Sequence, residues 1–400
     1  MKILKLFAVA AVALMMASAG CTDNTIEPER PETPTETPDD SGSQDDPENP
    51  DDPENPDDPE NPDDPGALPP DLSASPDTIP PVSPDADAYI PLISEPGSFA
   101  KGADVGWVTE LEAKGSKFYN SAGEATELMQ LLRDECGINS IRLRVWVNPT
   151  DGWNNIGDVL VKARRARQLG LRLMIDFHFS DWWADPGKQT IPAAWSGMTL
   201  DQAKAALASH VKDMLGRLKA YDIEPEWVQV GNETTTGMMW PLGSTNNGDN
   251  FTQLVNAGYD AVKSIFPKAI VIIHCDEGNR ASKYNYLFGK LQAEGAKYDM
   301  IGMSLYPEPG TWQKTVSDCL ANIEACQRAY GKPVMICEIG YDVDKPLEAQ
   351  QMLQTMLDGA LQRDVKGIFW WEPESEMSNT GYGKGAFKNG RPTSALNPFK

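Results

Sequence analysis

From Phe99 to Glu374 the chain alternates short apolar runs with longer amphipathic ones, eight times over. The runs Phe99–Val105, Ser140–Val147, Arg172–Phe179, Trp227–Glu233, Ala269–Asp276, Met300–Pro307, Pro333–Gly340 and Lys366–Glu374 read as strands. Their β-branched and aromatic side chains suit a packed sheet. Between them, Glu124–Cys136, Gly157–Gln168, Leu200–Tyr221, Phe251–Phe266, Tyr284–Glu294, Thr315–Tyr330 and Leu347–Arg363 carry helical patterns. Several of these stop at a glycine, as at Gly137, Gly170, Gly295 and Gly331, which suits a helix C-terminus. Eight strands separated by seven helices predict an α/β fold of the (β/α)8 TIM-barrel type. A doubly wound open sheet would need a glycine-rich phosphate turn after its first strand. KGADVG at 101–106 opens no helix, so the barrel is the better reading.

In such a barrel the middles of the strands fill the core and chemistry sits at their C-terminal ends. Those ends carry Asp104; Arg142, Arg144 and Trp146; Asp176, His178, Asp181, Trp182 and Trp183; Asn232 and Glu233; Asp276 and Glu277; Tyr306; Glu338; and Trp371 and Glu372. Two carboxylates stand out because their strands are otherwise strongly apolar: Glu233 in WVQVGNE and Glu338 in PVMICEIG. Alternation puts Val334, Ile336 and Glu338 on one face of strand seven, with Met335 and Cys337 on the other. If Ile336 faces the interior, Glu338 points over the mouth. Either acid alone reads equally well as a structural hydrogen-bond acceptor. Together, on strands that lie across a barrel from each other, they suit glycoside hydrolysis, in which one carboxyl protonates the leaving oxygen and the other attacks the anomeric carbon.

Trp182, Trp183, Trp370 and Trp371 favour a sugar, whose C–H faces stack on indole, although Trp370 must face away from Trp371 and reads as core. Three dispersed histidines offer no metal spacing, and Asp342-x-Asp344 alone is thin for calcium. No GxSxG or Cys/His nucleophile pattern competes.

The N-terminal part has a different character. Residues 1–20 read as a signal peptide: Lys2 and Lys5, an apolar run Leu6–Met16, then small residues before Cys21. Cys21 lies where a bacterial lipoprotein takes its lipid, with Ser18 in place of the usual leucine three positions earlier. Residues 21–91 read as a disordered, Asp/Pro-rich linker containing three copies of DDPENP. Residues 22–66 hold eleven aspartates and seven glutamates against one arginine, a net −17 of the chain's −24. Extended throughout, residues 21–91 reach about 200 Å at ~3.1 Å per residue. Residues 92–400 are left for the folded domain. The acidity argues against nucleic acid. The five remaining cysteines suggest buried thiols, since Cys319 and Cys326 lie roughly 10 Å apart on one helix.

GADVGW at 102–107, RLRVWVNP at 142–149, DFHFSDWWADPGKQ at 176–189, VQVGNE at 228–233 and CEIGY at 337–341 together resemble the arabinogalactan endo-β-1,4-galactanases. These are retaining glycoside hydrolases with catalytic acids on strands four and seven. The resemblance implies that Glu233 is the acid/base and Glu338 the nucleophile. It further implies that Asn232 holds the sugar 2-hydroxyl, that Arg142 and Tyr306 orient Glu338, and that Trp371 underlies the reacting sugar. Asp181, Trp182 and Trp183 would line neighbouring subsites, and His178 would join the hydrogen-bond network. The implied substrate is the β-1,4-galactan of pectic side chains, cleaved without a cofactor by a monomer. A structural calcium is the one metal left open, at the loops after strands seven and eight, where Asp342 and Asp344 lack an evident partner set. The N-terminus adds the expectation of an exported lipoprotein at the outer membrane or surface of a Gram-negative cell, touching membrane only through its lipid. Another β-1,4-glycanase, or a glycan-capture lipoprotein without catalysis, are the alternatives.

Overall fold

The computed structural model describes residues 89–400. The signal peptide, Cys21 and nearly all of the linker lie outside the described residues. Eight parallel strands close into a barrel: β1 (Ala100–Asp104), β2 (Ser140–Val145), β3 (Arg172–Phe177), β4 (Trp227–Val230), β5 (Ile270–Cys275), β6 (Met300–Leu305), β7 (Val334–Ile339) and β8 (Gly367–Trp371). Each pairs with its sequence neighbours, and β8 closes on β1 with Asp104 opposite Trp371. The crossovers carry α1 (Val108–Ala113) and α2 (Leu128–Cys136), then α3 (Ile156–Gln168), α4 (Leu200–Ala220), α5 (Asn250–Ile265), α6 (Ala281–Ala293), α7 (Trp312–Tyr330) and α8 (Pro346–Gln362). The short α1 escapes the sequence reading, because six residues are too few to show a helical period. Gly137 and Gly331 end α2 and α7 in the left-handed conformation, and Thr199 and Gln202 form a capping box at the start of α4.

Two apolar layers follow from strand alternation. Outward-facing residues such as Val228, Val230, Ile273 and Ile336 pack beneath the helices. A smaller interior cluster, Ala100, Met174, Trp227, Ile272, Met300, Met335, Cys337 and Phe369, plugs the lower barrel. Gly102 makes room for that plug: a Cβ there would sit 2.1 Å from the Phe369 ring.

Strand seven departs from simple alternation. Ile336 lies in the outer layer and Met335 and Cys337 in the inner one, the reverse of the facing that would have carried Glu338 inward. Yet Glu338 does reach the mouth. Its register explains how: Met303 pairs with Ile336 but Ser304 with Glu338, and the β8 side shows the same slip. One extra residue in β7 forms a β-bulge, which puts Cys337 and Glu338 on the same side and re-aims the carboxylate. All five cysteines of the described residues are free and buried.

Candidate active site

Above the apolar plug, the next inward-facing residues are polar and interlocked. Arg142, on β2 and essentially buried, makes four hydrogen bonds and a further ion pair. Its Nε donates to Gln229 Oε1 (2.8 Å), while Nη1 reaches Asp104 (2.8 Å) and Glu338 Oε1 (2.8 Å). Nη2 donates to Asp176 Oδ2 and Asn232 Oδ1, both at 2.9 Å. Burial pulls the Asp176 carboxyl upward, but Arg142 and His178 outweigh it and leave the group below the usual carboxylate range. Asp104 goes the other way, held well above that range by burial and by the charge of Glu372 despite two arginines.

Glu338 is gripped from both sides, because the Tyr306 hydroxyl donates to its Oε2 at 2.8 Å. Glu233 leaves β4 through Gly231 (φ +90°) and itself adopts φ +46°, an uncommon conformation for a side-chain-bearing residue. Glu277 and Glu372, at the ends of β5 and β8, share it, and such strain gathers at functional sites. Glu233 Oε1 lies 2.6 Å from Ser304 Oγ. Burial first, then the charge of Glu338, raise the Glu233 carboxyl well above its ordinary value, against the charge of Arg142. A carboxyl so placed holds its proton more tightly than an ordinary one, as suits a group that must give it to a leaving oxygen.

The opposite wall is aromatic and built around Arg144. Its guanidinium lies 4.3 Å from the Trp183 ring centre and 5.3 Å from those of Trp107 and Trp146, and it ion-pairs with Glu372 beneath them. Gly106 permits this approach, since a Cβ there would fall 2.1 Å from Arg144 Nη1. Trp371 stands edge-on to Trp107 (5.2 Å) and Tyr382 (4.6 Å). A cleft of about 260 Å³ continues outward between Trp107, Trp146, Trp182, Trp183, Lys114 and Asn379. A larger cavity of about 500 Å³ lies at the other end of the barrel, beside Arg172 and Glu226, and holds none of the strand-end acids just described.

Comparison with known proteins assigns the arrangement. Residues 100–396 match the model of glycosyl hydrolase family 53. The chain belongs to that family. It is 31% identical over 312 residues to the arabinogalactan endo-beta-1,4-galactanase A of Aspergillus niger, covering 71% of this chain and 87% of the relative. It is 33% identical over 307 residues to the endo-beta-1,4-galactanase of Bacillus subtilis, covering 69% and 70%. A solved structure of fungal beta-1,4-galactanases superposes with a TM-score of 0.70 at 29% identity, over 75% of this chain and 98% of that one.

Within this family 53 barrel, Glu233, Glu338, Asn232, Arg142, His178 and Tyr306 converge on one network, Glu233 joining it through Ser304 and His274. His178 donates from Nε2 to Asp176 (3.0 Å), because its Nδ1 receives Trp146 Nε1 and Ala184 N–H, both at 3.2 Å. Trp182 is 47% exposed, free to meet a ligand, whereas Trp370 is buried, its indole N–H on Lys384 O. Both oxygens of Asp181 are taken by backbone amides, of Asn148 (3.0 Å) and Ala193 (2.8 Å). It braces the loop that carries Trp182 and Trp183. Asp342 caps the Asp344 amide, and Asp344 faces the Lys388 ammonium. Among the described residues no group of three or more candidate ligands forms. Sequence reasoning missed His274, Ser304, Gln229, Trp107 and Tyr382. The first three are single polar residues inside apolar strands, whose part in the site shows only through partners on other strands.

Proposed function

We propose that this family 53 chain is a retaining endo-β-1,4-galactanase that hydrolyses pectic galactan by double displacement, with Glu233 as acid/base and Glu338 as nucleophile. The observation that carries the roles is the contrast between the two carboxyls. Glu338 is held by the Arg142 guanidinium and the Tyr306 hydroxyl, which leave it aimed and charge-balanced for attack. Glu233 is half-buried, with its affinity for a proton raised, as a group must be to protonate a leaving sugar. The names of the curated relatives support galactan as the polymer. Glu338 attacks the anomeric carbon as the Glu233 proton passes to the departing oxygen. The ionised Glu233 then takes a proton from water, whose oxygen displaces Glu338 and restores the starting configuration. Asn232 keeps an amide hydrogen free for the sugar 2-hydroxyl, and Trp371 forms the floor under the ring. None of these steps calls for a cofactor.

The N-terminal features support export, attachment through lipid on Cys21 and display of a monomeric barrel on an acidic tether at the outer membrane or surface of a Gram-negative cell. No described helix is long and apolar enough to cross a membrane.

Reducing-sugar release from galactan, arabinan, mannan and xylan, run with Glu338→Gln alongside, tests the reading. Oligosaccharides from galactan alone, lost in the variant, are expected. Cleavage of mannan or xylan but not galactan overturns the substrate, and binding without hydrolysis overturns the chemistry.

A further inference from the structure

Behind Glu233 runs a line of contacts that the double displacement leaves unused. Glu233 Oε1 lies 2.6 Å from Ser304 Oγ, which lies 2.8 Å from His274 Nε2. His274 Nδ1 in turn lies 2.9 Å from Asn232 Oδ1. Three hydrogen bonds in a row need three protons, and their placement can be worked out from the far end.

The Asn232 amide is fixed by its other partners. Its nitrogen donates to Ala184 O (2.8 Å) and its oxygen accepts from Arg142 Nη2 (2.9 Å). The atom facing His274 is therefore an acceptor, and Nδ1 must carry hydrogen. The Glu233 amide also points at Nδ1, but at 3.4 Å it makes the longer contact and yields. The imidazole is wholly buried and its pKa is pushed down to about 4, by burial first, so it holds one proton, already placed on Nδ1. Nε2 is then a bare acceptor, and the single hydroxyl proton of Ser304 must go to it. What remains for Ser304 Oγ is to accept, so the proton of the first contact has to sit on Glu233. Ionised Glu233 would leave the row one proton short.

We infer that Ser304 and His274 are positioning residues that hold the acid/base carboxyl in its protonated form, through a row of hydrogen bonds complete only while Glu233 carries its proton. This rests on the reading of Glu233 as the acid. The charged and titratable groups facing Glu233 and His274 from neighbouring strands are Glu338, Asp276, Arg142 and Asp176, with the hydroxyls of Tyr306 and Tyr382 nearby. They act on every variant below alike, so differences among variants report on the row. To react, the carboxyl turns about its last bond and presents its proton to the leaving oxygen; Ser304 then donates to the carboxylate left behind.

The inference gives a sign that a simpler view reverses. Were Ser304 only a donor to a carboxylate, its loss would raise the Glu233 pKa and move the alkaline limb of kcat/KM to higher pH. As part of a row that favours the acid, its loss moves that limb to lower pH. The test measures kcat/KM against pH for full-length wild type, Ser304→Ala, Ser304→Thr, His274→Gln and Glu233→Gln. Each is assayed on galactan and on a dinitrophenyl β-galactobioside, whose leaving group needs no proton.

Ser304→Ala is expected to lose about 10–100-fold on galactan, part of the ~10²–10⁴-fold that general acids supply, with little loss on the activated glycoside and the limb shifted down. Ser304→Thr keeps the hydroxyl and should behave as wild type. His274→Gln should also shift the limb down, because an amide that donates to Ser304 turns its hydroxyl onto the carboxylate. It also serves if Ser304→Ala does not fold. An upward shift, an equal loss on both substrates, or no change in either variant overturns the inference. Glu233→Gln separates the two levels: if it still cleaves galactan, the acid is wrongly assigned. If it is inactive on galactan while Ser304→Ala is unaltered, only the role of the row is lost.

Discussion

The barrel interior changes character within two or three residues along its strands. At the lower level stand Met174, Trp227, Ile272, Met335, Cys337 and Phe369, closely packed and without charge. Above them stand Asp176, Gln229, His274 and Trp371, and, carried up by the bulge in β7, Glu338, with Arg142 threaded among them. The backbone holding both levels is one continuous parallel ladder. What differs is the currency of stability. The lower level is held by area removed from water and by close packing. The upper level keeps charges out of water, which is costly unless each finds a partner. It meets much of that cost with one guanidinium that bridges Asp104, Asp176 and Glu338 and also bonds Gln229 and Asn232. An apolar plug beneath an ionic ring is therefore a division of labour: the plug sets the distance across the barrel, and the ring sets protonation and aim.

The sharpest way to break the division is Arg142→Met. The substitution preserves bulk but leaves Asp104, Asp176 and Glu338 without their shared counter-charge. Removing one partner of a buried ion pair costs roughly 3–5 kcal/mol, and here three carboxylates lose the same partner. A loss of at least that size in denaturant unfolding is expected, with galactan hydrolysis abolished. A variant that unfolds like wild type would show that the ring contributes nothing to holding the barrel together.

Met335→Ala asks the converse question of the plug. Truncating a buried methionine costs about 2–5 kcal/mol, here in the lower range because flexible neighbours such as Met174 and Met300 can partly refill the space. The expectation is lower stability with KM near wild type and an unshifted pH profile. A changed pH profile would mean that the plug also sets the protonation of the acids above it.

Between these in kind lies Glu233→Gln, whose effect on stability depends on pH. The Glu233 carboxyl is raised in the folded protein above its ordinary value of 4.5. The native state thus binds this proton more tightly than the unfolded chain, so stability falls as pH rises through the interval between the two values. Glutamine cannot ionise. The variant should gain stability over wild type as pH climbs above about 4.5 and gain nothing at lower pH. Melting curves at pH 4 and pH 8 check the sign, and equal differences at both would contradict a raised carboxyl.

Much of this division was legible in the sequence, and the parts that were not have specific causes. The eight strands and the two acids stood out because an apolar run ending in a carboxylate is a strong local signal. The facing of strand seven did not, because alternation assumes an unbroken ladder. The bulge at Cys337–Glu338 exists only relative to the neighbouring strands. His274 and Ser304 were invisible for another reason: a lone histidine or serine in an apolar strand is common, and its meaning depends on a partner from a different strand. Asp181 has a second set of contacts that the sequence does not show: its two oxygens accept from the backbone amides of Asn148 and Ala193, which come from separate loops.

The smallest expected effect tests where the ring ends. Trp182 leans on Trp146, ring centres 4.8 Å apart and planes tilted by 34°, yet stays 47% exposed at the lip of the outer cleft, so it contributes little to folding. If the aromatic wall is an outward extension of the substrate platform, Trp182→Ala should leave the melting temperature unchanged. It should raise KM for galactan by about tenfold, the usual consequence of truncating an aromatic anchor worth over ~1 kcal/mol. The kcat should stay near wild type, since an indole this far from the acids binds ground and transition states alike. Short substrates that fill only the sites beside Glu233 and Glu338 should not sense the change at all. A fall in kcat on those short substrates would mean that Trp182, through Trp146 and the Arg144 stack, helps to set the geometry of the ring itself, and that the boundary between binding wall and reacting centre lies further out than Trp371.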